Sequence, residues 1–348
     1  MKSSRFAVPL IALVVALPAG AQDDRVILLN GTKVDGVHVT AYDIRTLRYS
    51  KGGTNESVPT DQVAKVELGK FTDVYRRGLK DPDMMLTVAR EQLEAKNTLM
   101  AQMGFVGASA QFFDANKPAE GVGTLEEMQK AIPEAGVVPE VHRQKFEYYM
   151  GIGGKGAPSA LAVAKKYQAD AVGGAWPPGF GIEAEFFLTL AERGKPQEFQ
   201  AKLRGVIAKA TGGNAMIANR ANVELAHSLR EAKDVEGAQR IYDDLAKRDG
   251  VDSSSRAGAF LGTGMILLDK GTAVDKDVYK KALLMFLRVR LETRDAWPSL
   301  QADALYHAIL AADKWRGPEY TYIMARCRGV LFNEFGDTDW ARRAKEGR

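Results

Sequence analysis

The sequence predicts a mainly α-helical protein in which a helical-hairpin solenoid follows a small five-stranded β-barrel. Two observations support this fold class. Between residues 25 and 68, short runs of alternating apolar and polar residues are separated by turns rich in glycine, as in β-strands. After Gly69 the apolar residues recur at spacings of three and four, as in amphipathic helices, almost to the C-terminus.

The first 21 residues have the features of a cleaved signal peptide. Lys2 and Arg5 precede an apolar run from Phe6 to Leu17, and Ala19-Gly20-Ala21 offers the small residues that a signal peptidase recognises. We therefore expect cleavage before Gln22 and export to the periplasm or the cell exterior. The alternative is a transmembrane anchor, but an anchor needs about 20 apolar residues and this run is shorter.

Charge and cysteine content limit the classes of partner. The chain has 48 basic and 44 acidic residues, and signal cleavage would remove two basic ones, leaving a net charge of +2. Such a balance does not indicate a nucleic-acid partner, and no later stretch is apolar enough to span a membrane. The single cysteine, Cys327, excludes an intramolecular disulfide. We expect it to be buried, with an intermolecular bridge as the alternative.

The β domain is marked by its turns. Asn30-Gly31 is a strong tight-turn signal, and Gly36 lies where a bulge or barrel corner is expected. The order of strands and turns resembles that of SH3-like or Sm-like barrels over residues 25–68. A plain β-meander packed on the first helix is the alternative. The expected strands are 26–29, 33–40, 44–50, 56–59 and 63–68, with one helical turn at 60–62.

The segment after the β domain is predicted to be an irregular helical connector. It contains an expected helix from Met84 to Met100 and an irregular apolar stretch from Met103 to Ala115. A short helix from Leu125 to Ala131 is expected, with Thr124 as its N-cap. The resulting domains are the signal peptide 1–21, the SH3-like β domain 22–69, the connector 70–140 and the helical-repeat array 141–348.

Helical hairpins begin near Val141, and their turns recur roughly every 40 residues, a period typical of α-solenoids. An irregular α-bundle is the alternative. A closing helix is expected from Thr338 to Glu346. The five expected hairpins pair 141–151 with 158–167, 182–193 with 196–210, 215–232 with 235–247, 254–270 with 277–292, and 300–314 with 319–335.

The hairpin from Ala221 to Gly250 resembles a tetratricopeptide repeat. The resemblance is specific over about 75 residues and architectural over about 200, so it implies a TPR-like solenoid. The family's usual tryptophan and closing proline are replaced by Asn222 and Gly250. The positions that carry the resemblance are Leu225, Ala226, Leu229, Lys233, Asp234, Ala238 and Tyr242, followed in the next hairpin by Gly264, Leu267, Ala282 and Phe286.

The resemblance also implies how this hairpin packs. Ala226 and Ala238 occupy the positions where its two helices approach most closely. Tyr242 is expected to fill the space between this hairpin and the next. A larger residue at Ala238 would therefore force extra atoms into a tight contact.

Motifs that carry chemistry are weak. Residues Gly151 to Gly156 match G-x-G-x-x-G, but a helix precedes them, so we interpret them as a turn between helices. The histidines are His38, His142, His227 and His307, and none has a second histidine or cysteine at metal-ligand spacing. His227 and Glu231 lie four apart on one helix, which favours a solvated pair. No catalytic, cofactor or metal-binding residue is predicted.

The segment Trp176-Pro177-Pro178-Gly179-Phe180-Gly181 is unusual because two aromatic residues lie in a non-helical stretch. The first interpretation is a stiff connector whose aromatic rings fill a gap between hairpins. The second is a binding loop with an aromatic anchor.

We therefore expect a non-catalytic exported scaffold or adaptor that binds a protein or peptide on its helical-repeat surface. One alternative is a self-associating structural protein of the envelope or cell wall. Another is an enzyme with a site between barrel and array, which needs a polar constellation that the sequence does not show. The groove residues that the family resemblance implies are Arg220, Val223, His227, Arg230, Glu231, Leu261, Met265 and Leu268.

Overall fold

A computed structural model of the chain describes residues 23–115 and 117–347, so the predicted signal peptide lies outside the described residues. Within them, a five-stranded antiparallel sheet is followed by fifteen α-helices, which confirms the mainly α fold class. The helices are α1 (Phe71–Val74), α2 (Pro82–Glu94), α3 (Thr98–Asp114), α4 (Pro118–Ala131), α5 (Val138–Gly151), α6 (Ala157–Gly173), α7 (Pro178–Ala191), α8 (Pro196–Ala210), α9 (Ala215–Glu231), α10 (Val235–Lys247), α11 (Ser253–Lys270), α12 (Asp277–Glu292), α13 (Pro298–Trp315), α14 (Tyr320–Glu334) and α15 (Asp339–Glu346).

The sheet has the five strands that the turn signals predicted, with a 3-10 helix at Thr60–Gln62 between the last two. Their spatial order is β4-β3-β2-β1-β5, with every pair antiparallel. Gly36 has φ +70° and lies where the register between β1 and β2 shifts, so the expected bulge is present. The strands are β1 (Asp24–Leu28), β2 (Lys33–Tyr42), β3 (Thr46–Lys51), β4 (Thr54–Pro59) and β5 (Val63–Glu67).

Residues 70–140 form regular helices, whereas the sequence predicted an irregular helical connector. The expected single helix from Met84 to Met100 is interrupted: Lys96 has φ +61°, and the Asn97 side chain accepts a hydrogen bond from the Met100 N–H to begin α3. A capping asparagine favours a new helix start over continuation of the first helix. Thr124 is inside α4 rather than at its N-cap, and its hydroxyl donates to the Glu120 carbonyl. Pro118 occupies the first turn instead.

These helices share one core with the sheet. Tyr75 is fully buried, and its hydroxyl donates to the Met100 carbonyl oxygen at 2.6 Å. Gly104 lies so close to this tyrosine that a Cβ atom would meet the Tyr75 hydroxyl oxygen at 2.0 Å. The region expected to be an irregular connector is therefore packed tightly on the sheet. Other residues of the same core include Val26, Leu47, Met85, Phe105 and Leu125.

The array consists of the five expected hairpins, formed by the helix pairs α5–α6, α7–α8, α9–α10, α11–α12 and α13–α14, with α15 after them. Ala226 and Ala238 are fully buried, as expected. Tyr242 lies against α11, where a Cβ atom on Gly262 would meet the tyrosine ring at 2.1 Å. Tyr242 therefore fills the space between its own hairpin and the next. The G-x-G-x-x-G stretch is the end of α5 followed by a single 3-10 turn, so it joins two helices.

The first two hairpins are joined by a buried ion cluster. Glu183 in α7 is buried and accepts hydrogen bonds from the Arg143 guanidinium in α5. The Tyr167 hydroxyl in α6 donates to the same carboxylate at 2.7 Å. Burial and this adjacent carboxylate raise the pKa of Tyr167 well above its usual value, so the hydroxyl remains a donor. Three helices are thereby fixed around one carboxylate.

The two ends of the array are in contact. The Ser299 amide and hydroxyl in α13 both donate to Glu147 in α5, although the two residues are 152 positions apart. Gly153, just after α5, lies so close to α15 that a Cβ atom would meet Asp339 at 2.9 Å. The last hairpin therefore contacts the first, and the first helices of the hairpins surround a common centre.

Trp176 joins the sheet-containing part to the array. Its ring lies 6.1 Å from that of Tyr167 and 6.2 Å from that of Phe180, between the two hydrophobic cores. Arg45 donates to the Gly174 carbonyl at 3.0 Å, and the Gly179 amide donates to Asp61 at 2.8 Å. These contacts support the interpretation of the segment as a connector that fills a gap. The expectation that the whole segment is non-helical is wrong, because α7 begins at Pro178 and includes Phe180.

Candidate partner-binding surfaces

The predicted groove is partly closed. The structure buries Arg220, Val223 and Leu261, so these three side chains do not line a groove that is open to solvent. The reason is long-range packing. Val223 lies against Gly258, where a Cβ atom would meet it at 2.5 Å, and neighbouring first helices approach closely there.

Trp297, just before α13, fills the centre that the first helices surround. The Arg220 guanidinium carbon lies 4.2 Å from the Trp297 ring centroid, and the Phe187 ring lies 6.3 Å away. Arg220 donates to the Ser254 carbonyl at 3.2 Å, while the Ser254 hydroxyl accepts from the Trp297 amide at 3.1 Å. Side chains from α7, α9 and α11 thus meet at one tryptophan, which supports the closed arrangement.

The other predicted groove residues are half-buried or exposed. Arg230 pairs with Asp269 of α11 at 2.9 Å, and Glu231 is bound by Arg193, which follows α7. His227 faces Glu224 at 3.8 Å, so the expected His227–Glu231 pair is not the one that forms. Binding of a partner by these remaining groove residues stays a prediction. The remaining groove residues are His227, Arg230, Glu231, Met265 and Leu268.

Two carboxylates on the first helices of the hairpins, Glu147 of α5 and Glu224 of α9, have pKa values shifted in opposite directions. Burial raises the pKa of Glu147, and its Ser299 contacts and the charge of Arg220 only partly oppose that effect. Burial also acts to raise the pKa of Glu224, but the adjacent His227 and the charges of Arg220 and Arg193 lower it to about 2. Glu224 is therefore ionised at neutral pH and stabilises the folded array through its cationic neighbours.

This shift predicts a pH-dependent stability. We expect Glu224→Gln to lower the free energy of unfolding at pH 7 by about 2–3 kcal/mol, because a pKa moved from 4.5 to about 2 favours the folded state above the unfolded value. The difference from wild type should shrink as pH falls from 4.5 towards 2. Urea unfolding at several pH values measures this difference. Glu236→Gln, at an exposed position of α10, is the control, and a difference that does not vary with pH would contradict the assignment.

A second surface lies on the outer face of α12. Leu284 is 50% exposed and Leu291 is 67% exposed, and the half-buried Leu287 lies between them on the same helix. The spacing of seven places both exposed leucines on one side of the helix, away from the buried Leu283 and Phe286. We call Leu284, Leu287 and Leu291 the leucine stripe. Sequence reasoning missed it, although apolar residues on both sides of α12 were the available signal.

Basic residues accompany the leucine stripe. Lys280 and Lys281 are exposed on α12. They lie four and three positions before Leu284, so they share its side of the helix. Arg288 is neutralised locally by Glu292 at 2.7 Å. This outer face therefore combines exposed apolar side chains with positive charge.

The described residues contain no group of three or more His, Cys, Asp or Glu side chains placed to hold a metal ion. Over the same residues, no helix is long and apolar enough to cross a membrane. Cys327 is buried in the last hairpin, and burial raises its thiol pKa to about 11.

The chain matches no protein-family model and no curated protein.

Proposed function

We propose that this protein is an exported, non-catalytic scaffold that binds a protein or peptide partner in the cell envelope. In this proposal an SH3-like barrel is followed by a tetratricopeptide-like array, and export depends on the sequence features of residues 1–21. The observation that carries the proposal is the leucine stripe, in which Leu284 and Leu291 are half or more exposed on one side of a single helix.

The stripe defines the chemistry of the partner. Burying an exposed leucine side chain contributes about 1.5–3 kcal/mol, so two or three of them form a useful anchor. Exposed Lys280 and Lys281 beside the stripe favour a negatively charged partner surface. A partner segment with apolar residues at helical spacing and acidic residues beside them satisfies both requirements.

The test compares three immobilised proteins in envelope extract. We expect a partner captured by wild type to be depleted by about tenfold or more on Leu284→Glu/Leu291→Glu, because the anchors are replaced by charges that repel an acidic partner. Val274→Glu is the matched control, since Val274 is 97% exposed in the loop before α12 and lies outside the stripe. Equal capture by all three proteins would contradict the proposal.

Self-association is the second candidate function, and the same stripe favours it because a second copy could cover the exposed leucines. Light scattering over a range of concentrations distinguishes the two. A molecular mass that rises with concentration in wild type and Val274→Glu, but not in the double glutamate variant, would assign the stripe to self-association. A monomer mass that stays constant with concentration would indicate that a different protein covers the leucine stripe.

A further inference from the structure

An open cavity of about 550 Å³ lies where α4, α5 and α6 meet the Trp176 segment. Its volume is within the range typical of small-ligand sites. It is separate from both the inner face of the array and the leucine stripe. Its wall is formed by Glu126, Gln129, Lys130, Pro133, Glu134, Val138, Lys145, Lys166, Ala169, Asp170, Gly173, Gly174 and Trp176.

The position of Trp176 at this cavity is fixed by the end of α6. The Trp176 amide donates to the Ala171 carbonyl, and the Ala175 amide donates to the Val172 carbonyl, with Ala175 at φ +50°. This is the hydrogen-bond pattern of a Schellman motif, which folds the chain back over the helix end. Gly174 is needed there, because a Cβ atom would lie 2.5 Å from the Trp176 indole nitrogen.

Aromatic residues support the indole from within the protein. The buried His142 ring stacks on Tyr167 with centroids 4.6 Å apart, and the Trp176 ring lies 6.2 Å from His142. The His142 Nε2 atom lies 3.3 Å from the Asp170 carboxylate and 3.1 Å from the Gln129 amide. A rigid aromatic side chain therefore lies among side chains that are themselves held in place.

The charges of the cavity wall balance. Its three lysines face three carboxylates, and two ion pairs have formed: Lys145 with Glu126 at 2.7 Å and Lys166 with Asp170 at 3.0 Å. Each ion pair can form further hydrogen bonds, because an ammonium group has three donors and a carboxylate has about four acceptor sites. The wall thus offers both donors and acceptors without a net charge.

From this combination we propose that the cavity binds a neutral saccharide. A hydroxyl group both donates and accepts, so it is able to use ammonium and carboxylate groups without breaking the ion pairs. The apolar face of a sugar ring matches an indole ring. A charged ligand would instead place a like charge beside one member of each pair.

Two glycines allow a direct test that spares the fold. Gly173 lines the cavity within α6, and a Cβ atom there would meet nothing within 4 Å, so Gly173→Leu adds bulk at the cavity wall with room for its first atom. Gly205 lies within α8 and has the same open surroundings, so Gly205→Leu is the matched control. Trp176→Phe provides a second, conservative change to the aromatic wall.

The measurement is calorimetric titration of the full chain with cellobiose, maltose and chitobiose, and with glucuronate and glucosamine as charged comparators. We expect at least one neutral disaccharide to bind wild type and Gly205→Leu alike, with affinity reduced by about tenfold or more in Gly173→Leu. Trp176→Phe should also weaken binding. The proposal is overturned if no disaccharide binds at about 10 mM, if a charged sugar binds as tightly, or if Gly173→Leu binds like wild type.

Discussion

Arg220→Met is expected to destabilise the array by about 3–5 kcal/mol, because it removes a cation that lies 3.8 Å from the Glu224 carboxylate in a largely buried site. Arg220 is only 4% exposed, and it also lies over Trp297 at the centre of the array. The substitution removes that cation–π contact together with the hydrogen bond to the Ser254 carbonyl. Urea unfolding measures the loss.

A double variant separates charge from packing. Arg220→Met/Glu224→Leu removes both charges, so it should be more stable than Arg220→Met alone. Arg240→Met, on the exposed side of α10, should change the unfolding free energy by less than about 0.5 kcal/mol. Hydrogen exchange should show the damage at the contact between α5 and α13. A loss under about 1 kcal/mol for Arg220→Met would mean that the central cluster contributes little.

Gly104→Leu is expected to cost about 3 kcal/mol or more by overpacking the core between the sheet and its helices. The first added atom would lie 2.0 Å from the Tyr75 hydroxyl oxygen, and that ring is fully buried. Movement of Tyr75 would also break its hydrogen bond to the Met100 carbonyl. Thermal unfolding with hydrogen-exchange mass spectrometry measures both the cost and its location.

Gly123→Leu is the matched control, because Gly123 lies within α4 and a Cβ atom there would meet nothing within 4 Å. Both changes replace a helical glycine by leucine, so they share any gain in helix propensity. Protection should fall in the sheet and in α2 to α4 for Gly104→Leu, while the array retains most of its protection. Equal stability of the two variants would show that Tyr75 and α3 do not pack as described.

Local signals in the sequence were sufficient for most elements. The Asn30-Gly31 turn and the period-two alternation predicted the strands, and Lys233-Asp234 with the flanking apolar stripes predicted the α9–α10 hairpin. Errors occurred where two local signals competed. Asn97 starts a new helix within a continuous helical pattern, and Pro118 rather than Thr124 marks the start of α4.

The candidate surfaces were predicted less well, because exposure depends on neighbours. Arg220 and Leu284 illustrate this. The family resemblance implied that Arg220 was open to a partner, yet Trp297 covers it from a position 77 residues away. Leu284 carried no prediction from its sequence position, yet it is 50% exposed. Sequence spacing gives the direction of a side chain but not what lies opposite it.

The sequence by itself therefore determined the mainly α fold class and the order of strands and hairpins, and the family resemblance implied the packing at Ala238 and Tyr242. The fold class and the order of elements depend on turn residues and on apolar periodicity within about 30 residues. The tertiary structure alone decided that the last hairpin contacts the first through Glu147 and Ser299, and that a charge-balanced cavity forms beside Trp176. The contact between the hairpins and the cavity both depend on small rotations between packed helices, which accumulate along the array. These rotations do not produce a periodic pattern of residues that could be recognised in the sequence.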